Sequence, residues 1–264
     1  MMKDILKEII ANKRFEIDVQ KRSVSLEQLQ NGLTDRTSRR SMRMALAESF
    51  SGIIAEFKRR SPSKGWIKGD AEIDIIIPAY IQAGTSALSI LTDEKFFGGN
   101  LGDIRTARAL TDIPILRKEF IIDEYQLYQA KIVGADAVLL IAAVLERGRC
   151  EELAGKAHEL GLEVLLEIHD SSELIYITPD IDMAGINNRN LRTFHTDVEI
   201  SFRLAKELPE DVLLVSESGI SDPETVKKLR IAGYRGFLIG ETFMKTESPG
   251  DTLKDFIIRL NTLQ

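Results

Sequence analysis

Short apolar runs alternate along this chain with longer segments whose apolar residues recur at helical spacing. The short runs predict β-strands, and the longer segments predict helices. Strands are predicted from residue 53 and at 87–91, 113–118, 137–141, 163–168, 183–187, 212–216 and 236–239. Helices are predicted at 73–83, 101–110, 123–133, 146–160, 171–177, 197–207, 223–233 and 251–260.

Strand–helix units joined by short links predict a parallel sheet. Eight such units in about 210 residues favour a closed (β/α)8 TIM barrel over an open sheet. An open doubly wound sheet would carry a Gly-x-Gly-x-x-Gly turn after its first strand, and the sequence has none there. The fold class predicted is therefore α/β, with residues 49–264 forming one catalytic barrel domain.

A polar leader precedes the first strand. Weak helical periodicity at 3–22 and at 42–46 predicts two helices, with a basic segment at 37–40 between them. The leader is too polar to form a separate domain, so residues 1–48 are interpreted as a helical extension packed on the barrel. We expect this extension to lie over or near the catalytic mouth rather than in the core.

The first predicted strand carries two charges where apolar residues would be expected. Side chains at i and i+2 share a face of a strand, so Ile54, Glu56 and Lys58 point the same way. An unpaired charge buried there would cost several kcal/mol. The charges therefore indicate a functional site, unless they only pair with each other or the strand is an exposed edge.

The carboxyl ends of the other strands are also polar. Lys118 follows Leu116 in phase, Glu167 follows Leu165, and Asn187 ends its own strand. Strand ends in barrels meet at the catalytic face. Lysines and carboxylates gathered there supply acids and bases whose pKa values can be pushed apart by burial and by one another.

Two glycine-containing turns follow the last two strands. Ser218 and Gly219 follow one strand, and Gly240 and Glu241 follow the other. Barrels commonly bind phosphate at this position through backbone N–H groups, which glycine lets approach closely. We expect a phosphate site there. A carboxylate of Glu241 facing inward would repel phosphate, and only its backbone N–H needs to contribute if the side chain turns away.

Composition narrows the class of protein. The 264 residues are 44% hydrophobic and carry a net charge of −6, which argues against a nucleic-acid surface. No apolar run reaches membrane-spanning length, and the single cysteine fits a reducing compartment. We expect a cytoplasmic protein that binds neither nucleic acid nor membrane. The histidines His158, His169 and His195 show no metal-ligand spacing, so we expect no metal and interpret them as solvated or structural.

Several segments resemble the signature of the indole-3-glycerol-phosphate synthase family, and they occur in the order found in that family. These segments are IAEFKRRSPSKG at 54–65, LRKEF at 116–120, LEI at 166–168, NNRNL at 187–191 and SESGI at 216–220. The resemblance implies a carboxy-lyase of tryptophan biosynthesis. It would act on the sugar phosphate 1-(2-carboxyphenylamino)-1-deoxyribulose 5-phosphate. The product would be indole-3-glycerol phosphate, formed with loss of carbon dioxide and water and without a cofactor.

The resemblance also implies roles for individual residues. Lys118 would be the general acid for ring closure, and Glu167 the base for dehydration. Lys58 would lie near the substrate carboxylate and the departing hydroxyl, with Glu56 tuning its charge. The remaining implied positions are Asn187, Glu217 and Arg189 for polar groups of the substrate, Phe120 and Leu139 for its aromatic ring, and Ser61, Gly219, Gly240 and Glu241, with Ser218 beside them, for its phosphate.

Two other functions fit parts of the pattern. A phosphoribosylanthranilate isomerase would keep the phosphate glycines but needs an acid–base pair, often Cys and Asp, which Glu56 and Lys58 match poorly. A non-catalytic sensor of phosphorylated metabolites would not need Lys118 and Glu167 to face one another. We further expect a monomer, with contacts to other tryptophan-pathway enzymes left open.

Overall fold

The computed structural model describes residues 5–33, 40–191, 193–209 and 211–263. Its strands, in chain order, are β1 Ile53–Phe57, β2 Arg60–Ser61, β3 Gly65–Trp66, β4 Ala87–Leu91, β5 Ile115–Lys118, β6 Ala137–Ile141, β7 Glu163–Ile168, β8 Met183–Asn187, β9 Leu213–Glu217 and β10 Gly236–Ile239. Its α-helices are α1 Ile5–Ser23, α2 Leu26–Asn31, α3 Met42–Glu48, α4 Ile73–Gln82, α5 Glu94–Phe97, α6 Leu101–Leu110, α7 Glu124–Val133, α8 Arg147–Glu159, α9 Glu199–Leu204, α10 Pro223–Ile231, α11 Glu241–Met244 and α12 Pro249–Thr262.

Eight of these strands close into a parallel barrel, as predicted. The ring runs β1, β4, β5, β6, β7, β8, β9, β10 and returns to β1. Register at the carboxyl ends brings the polar residues to similar heights, because Glu167 pairs with Gly185 and Asn187 with Glu217. The small strands β2 and β3 form a separate antiparallel pair directly after β1.

Two apolar layers hold the barrel together. One side of each strand faces the helices, where residues such as Ile53, Leu88 and Phe237 are fully buried. The other side fills the barrel interior with Ile54 and Leu165, among other residues. The near-continuous apolar strands are typical of a parallel sheet that is covered on one face and packed on the other.

Local chemistry accounts for several boundaries. Helix α7 begins with a capping box at Asp123 and ends at Gly134, whose φ of 97° is a left-handed conformation that favours glycine. Asp222 caps α10, which carries Pro223 in its first turn. Strand β5 begins at Ile115 rather than at residue 113 as predicted, because Pro114 has no N–H to give to the sheet.

The leader passes from one end of the barrel to the other. Ile5, Leu6 and Ile9 of α1 line the cavity at the mouth, as expected. The expectation was wrong for α3, because Met42 and Leu46 are fully buried in the cluster that fills the barrel interior. Met42 and Leu46 lie at the end of the barrel where the strands begin, which we call the floor. There, Glu163 at the start of β7 accepts the backbone N–H of Arg43 at 2.9 Å.

The basic segment predicted at 37–40 lies mostly outside the described residues. Arg40 is described, and it pairs with Asp112 and lies 3.9 Å from Asp136. Asp112 and Asp136 precede β5 and β6 at the floor of the barrel, so the expectation that this segment lies over the mouth was wrong for Arg40.

The sequence pattern missed three short helices and one pair of short strands, and it misjudged one helix. Helices α2, α5 and α11 and the β2–β3 pair were not predicted, because each is too short to show periodicity. The helix predicted at 171–177 is a 3₁₀ helix, Ser171–Tyr176, which begins after an Asp170 cap. Among the described helices, none combines the length and apolar character of a membrane span.

Candidate active site

A cavity of about 660 Å³ opens at the carboxyl end of the barrel. It is lined by every residue that the sequence indicated for the site. These are Glu56, Lys58, Ser61, Lys118, Phe120, Leu139, Glu167, Asn187, Arg189, Glu217, Ser218, Gly219, Gly240 and Glu241. Its position agrees with the rule that barrel active sites form where the strands end.

A buried cluster of charges lies inside this cavity. Lys118 Nζ is 2.7 Å from Glu167 Oε2 and 2.7 Å from Glu217 Oε2. Beside them Lys58 is paired with Glu56, its neighbour on β1. The charged side chains come from the inward faces of β1, β5, β7 and β9 or, for Lys58, from the residue directly after β1, so the alternation of side chains along the strands brings the three ion pairs together.

The cluster moves the pKa values of its members in opposite directions. Burial would lower the pKa of Lys118, but the charges of Glu167 and Glu217 outweigh it and raise that pKa. Burial would raise the pKa of Glu167, but Lys118 and His169 outweigh it and lower that pKa. Burial raises the pKa of Glu217 to about 7, with a further contribution from the charge of Glu167. Lys118 is therefore held protonated and Glu167 ionised.

Two glycines make room for the carboxylates. A Cβ built on Gly185 would lie 2.2 Å from Glu217 Oε1, and one built on Gly240 would lie 2.3 Å from Glu56 Oε1. Neither approach is possible for a real side chain. Gly240 was singled out for phosphate, and its missing side chain also accommodates Glu56. The space at Gly185 was not foreseen.

Asn187 holds the position of Glu167. Its Nδ2 donates to Glu167 Oε1 at 3.0 Å, while its Oδ1 accepts the backbone N–H of Arg189 at 3.0 Å. Glu167 therefore has Lys118 on one carboxylate oxygen and Asn187 on the other. The carboxylate is fixed in orientation before any substrate arrives.

One wall of the cavity is apolar. Phe120 and Leu139 lie there as predicted, and Phe97 of α5 adds a second ring whose centre is 6.0 Å from that of Phe120. Leu91 and Ile9 complete this wall. Phe97, Leu91 and Ile9 were not identified from the sequence. Leu91 is the last residue of β4, and Phe97 lies in the helix that follows this strand. The wall is shaped to take a flat apolar group.

The opposite side combines small residues, left-handed backbone and cations. Ser218 and Gly219 have φ values of 67° and 76°, so their turn is tightly wound. The side chain of Glu241 lines the cavity and meets Arg189 Nη2 at 3.3 Å and Lys64 Nζ at 3.8 Å. Glu241 therefore lies against cations. The sequence identified Arg189 but missed Lys64.

His169 is a further residue that the sequence analysis misjudged. It was interpreted as solvated or structural, but its Nε2 lies 3.3 Å from Glu167 Oε1 and its Nδ1 3.2 Å from Glu173 Oε2. The histidines were interpreted as lacking both a second histidine and a carboxylate at matched spacing, although Glu173 lies four residues beyond His169. Within the described residues, no group of three or more His, Cys, Asp or Glu side chains is arranged to hold a metal.

Comparison with protein families gives a match along most of the chain. Residues 6–256 match the family described as "Indole-3-glycerol phosphate synthase". An indole-3-glycerol phosphate synthase of Bacteroides thetaiotaomicron is 72% identical over 256 residues, covering 97% of this chain and 98% of that protein. An enzyme of the same name from Burkholderia multivorans is 42% identical, covering 96% of this chain and 98% of that protein.

Solved structures with much lower identity share the fold. A mutant tryptophan synthase α-subunit from Pyrococcus furiosus superposes with a TM-score of 0.61 at 14% identity, covering 80% of this chain and 98% of that one. A 3-hexulose-6-phosphate synthase from Salmonella typhimurium gives a TM-score of 0.61 at 12% identity, covering 79% and 99%. At these identities the likeness concerns the barrel alone.

Proposed function

Because this chain belongs to the indole-3-glycerol phosphate synthase family of tryptophan biosynthesis, we propose that its charged cluster divides that reaction between two proton-transfer residues. Lys118 is the general acid of ring closure, and Glu167 is the base of the later dehydration. The observation that carries this assignment is the bridging position of Lys118 Nζ, 2.7 Å from both Glu167 and Glu217.

The substrate, 1-(2-carboxyphenylamino)-1-deoxyribulose 5-phosphate, has an aromatic ring between a carboxylate and a phosphate. A cavity of about 660 Å³ is of ordinary size for such a molecule. The ring suits the wall formed by Phe120 and Leu139, and the phosphate suits the turns at Gly219 and Gly240, with Ser61 and Ser218 beside them. Cations near both ends balance the two negative charges of the substrate.

Ring closure requires a proton on the ketone oxygen while the aromatic carbon attacks the carbonyl. Lys118 is suited to supply it, because its carboxylate neighbours keep it protonated at neutral pH. Glu217 holds the ammonium from the side opposite Glu167. Decarboxylation follows ring closure, because the cyclised cation withdraws electrons from the bond to the carboxyl group.

Dehydration requires a base for the departing proton and assistance for the departing hydroxyl. Glu167 is suited to be the base, because it is kept ionised and is oriented by Asn187. Lys58 is suited to lie near the carboxylate and hydroxyl of the substrate, and its contact with Glu56 holds its ammonium in place. Arg189 is suited to bind the substrate carboxylate once it leaves its ion pair with Glu241.

The proposal also covers the division of the chain into two parts, its oligomeric state and its compartment. Residues 1–48 act as an extension that completes the ends of the barrel formed by 49–264. The enzyme acts as a single chain in the cytoplasm, which agrees with its one cysteine, Cys150, being a buried free thiol. Light scattering coupled to gel filtration tests the monomer, and a stable dimer at micromolar concentration would contradict it.

A single-turnover experiment separates the two proton transfers. The substrate carries a labelled carboxyl group, and label release is timed against the appearance of indole absorbance. Lys118→Met should stop both signals, because ring closure comes first. Glu167→Gln should release labelled carbon dioxide while indole formation falls by about 10²–10⁴-fold, the usual contribution of a positioned base.

The controls are Lys228→Met and Glu224→Gln, the same substitutions at exposed positions of α10. Both should behave as the unaltered enzyme. If Glu167→Gln stops label release as completely as Lys118→Met does, the division of roles is wrong. Glu167 would then act at ring closure or before it.

A further inference from the structure

His169 follows directly on the strand that carries Glu167. In β7 the side chain of Glu167 points into the barrel and that of Ile168 points out, so the next residue again turns toward the mouth. The side chain of His169 is 15% exposed and lies against the base rather than in solvent. None of the roles assigned above uses it.

Both ring nitrogens of His169 face carboxylate oxygens. Nε2 is 3.3 Å from Glu167 Oε1, and Nδ1 is 3.2 Å from Glu173 Oε2. Glu173 is itself fixed, because the same oxygen accepts the backbone N–H of His169 at 2.7 Å. The ring is therefore clamped between a catalytic carboxylate and a structural one.

This geometry fixes the protonation state of the ring. A neutral imidazole has one N–H, so one of its nitrogens would turn a lone pair toward a carboxylate oxygen. Only the imidazolium turns an N–H toward both carboxylates, with a hydrogen bond at Nδ1 and an ion-pair contact at Nε2. The charges that act on the ring are those of Glu167, of Glu173 and of Asp170 beside it in the chain. Burial would lower the pKa of His169, but Glu167 and Glu173 outweigh it and raise that pKa to about 10.

We propose that His169 is a positioning residue that stays protonated and keeps Glu167 ionised after Lys118 has given up its proton. This inference rests on the proposed roles of Lys118 and Glu167. When Lys118 protonates the ketone, the ammonium beside Glu167 becomes a neutral amine. Glu167 would then be buried near Glu217 with its main counter-charge lost, and its tendency to take a proton too early would rise. The imidazolium of His169 keeps a positive charge beside it until dehydration.

Spectroscopy tests the charge of the ring directly. The ring nitrogens of ¹⁵N-labelled enzyme are followed by NMR from pH 6 to pH 9, and His169→Gln identifies the signal. His169 should still be an imidazolium at pH 8. A neutral ring at pH 7.5 in the unaltered enzyme would overturn the proposal.

Kinetics test the role of that charge. In single turnover His169→Gln should release labelled carbon dioxide at the normal rate but form indole more slowly, about tenfold for each unit by which the pKa of Glu167 comes to exceed the assay pH. The acidic limb of its kcat profile should move to higher pH, because Glu167 loses a cation and its pKa rises. His158→Gln, at an acid-flanked histidine whose Nε2 lies 2.8 Å from Asp182 near the floor, is the matched control and should change neither result.

Glu173→Gln provides a second variant that leaves both His169 and Glu167 in place. Removing this carboxylate lowers the pKa of His169, so the ring should lose its proton within the assay range. The variant should resemble the unaltered enzyme at pH 6 and His169→Gln at pH 9. A merely structural role would instead slow carbon dioxide and indole equally in both variants, without a change in the pH profile, and would overturn the proposal.

Failure of this inference can be told from failure of the proposed function. If Glu167→Gln separates carbon dioxide release from indole formation but the two His169-directed variants do not, only the role of His169 is wrong. If Glu167→Gln itself blocks carbon dioxide release, the assignment of Glu167 fails first, and the role of His169 fails with it.

Discussion

The two ends of the barrel are closed by parts of the same leader, which buries charges at the mouth but keeps its ion pair of Arg40 with Asp112 exposed at the floor and buries apolar side chains there. At the mouth, α1 is attached through Lys13, whose Nζ lies 2.9 Å from Asp93 Oδ2 and 3.1 Å from Glu119 Oε1, all three side chains being buried. At the floor, α3 inserts Met42 and Leu46 among apolar residues. The mouth thus keeps charges that a purely stable core would avoid, whereas the floor is built for stability.

The difference suggests how the barrel divides stability from function. Ionic attachment is directional and can be released when water reaches the charges, which suits a helix that lines a substrate cavity. Apolar insertion has no such switch, because exposing the side chains always costs free energy. Substitutions at the two ends should therefore have different consequences.

The largest effect on stability is expected at the floor. Met42→Ala should lower the free energy of unfolding by about 2–5 kcal/mol, because it empties a fully buried site that the surrounding strands cannot refill. The rate per folded molecule should not change. Urea denaturation measures the loss. Met44→Ala, on the same helix at a position 51% exposed, should change stability by less than about 0.5 kcal/mol. Equal losses of stability in Met42→Ala and Met44→Ala would show that the buried face of α3 does not close the floor of the barrel.

A smaller effect is expected where α1 is attached. Lys13→Met leaves Asp93 without its cation and Glu119 with only Arg117, 3.6 Å away, which should lower the free energy of unfolding by about 1–3 kcal/mol. KM should rise, because Ile9 of the loosened helix lines the cavity. Lys21→Met removes only a partly exposed pair with Asp123 and should lower stability by less than about 1 kcal/mol. An unchanged KM in Lys13→Met would contradict the link between attachment and binding.

The smallest effect should depend on pH and should be confined to the mouth. The pKa of Glu217 is raised to about 7, so as pH rises toward 7 the unfolded chain ionises this group before the folded one does, and stability falls. Glu217→Gln removes this penalty. Relative to the unaltered enzyme it should therefore gain about 1 kcal/mol in the free energy of unfolding for each pH unit between pH 5 and pH 7. Glu224→Gln, at an exposed position, should show no such gain. A difference that stays constant from pH 5 to pH 8 would instead mean that Glu217 is already ionised at pH 5.

The fold and much of the site could be predicted because both follow from patterns within short segments of the sequence. The inward alternation of Ile54 and Glu56 in β1 follows from strand geometry alone. The same reasoning brought Lys118, Glu167 and Glu217 to one end of the barrel, since parallel strands end together. No knowledge of distant contacts was needed for these residues.

The remaining features depend on contacts that the local sequence does not specify. The spacing of Met42 and Leu46 predicts a helix face, but it does not tell which surface that face meets. Lys13 has the appearance of a solvated charge on a polar helix until Asp93 and Glu119 approach from two loops. His169 differs from these two cases, because its contacts with Glu167 and Glu173 are local and its place beside Glu167 follows from the same strand alternation.

The space left by Gly185 and Gly240 has a consequence for how sequences of this enzyme can change over time. Gly185 leaves space for Glu217, and Gly240 leaves space for Glu56, so we expect the two members of each pair to change together. An alanine at 185 is acceptable only in a lineage whose acid at 217 has already been shortened or lost. The reverse order passes through a displaced catalytic carboxylate. We therefore expect the order of substitutions at these pairs to matter, and we expect a library that varies one glycine alone to displace the facing carboxylate.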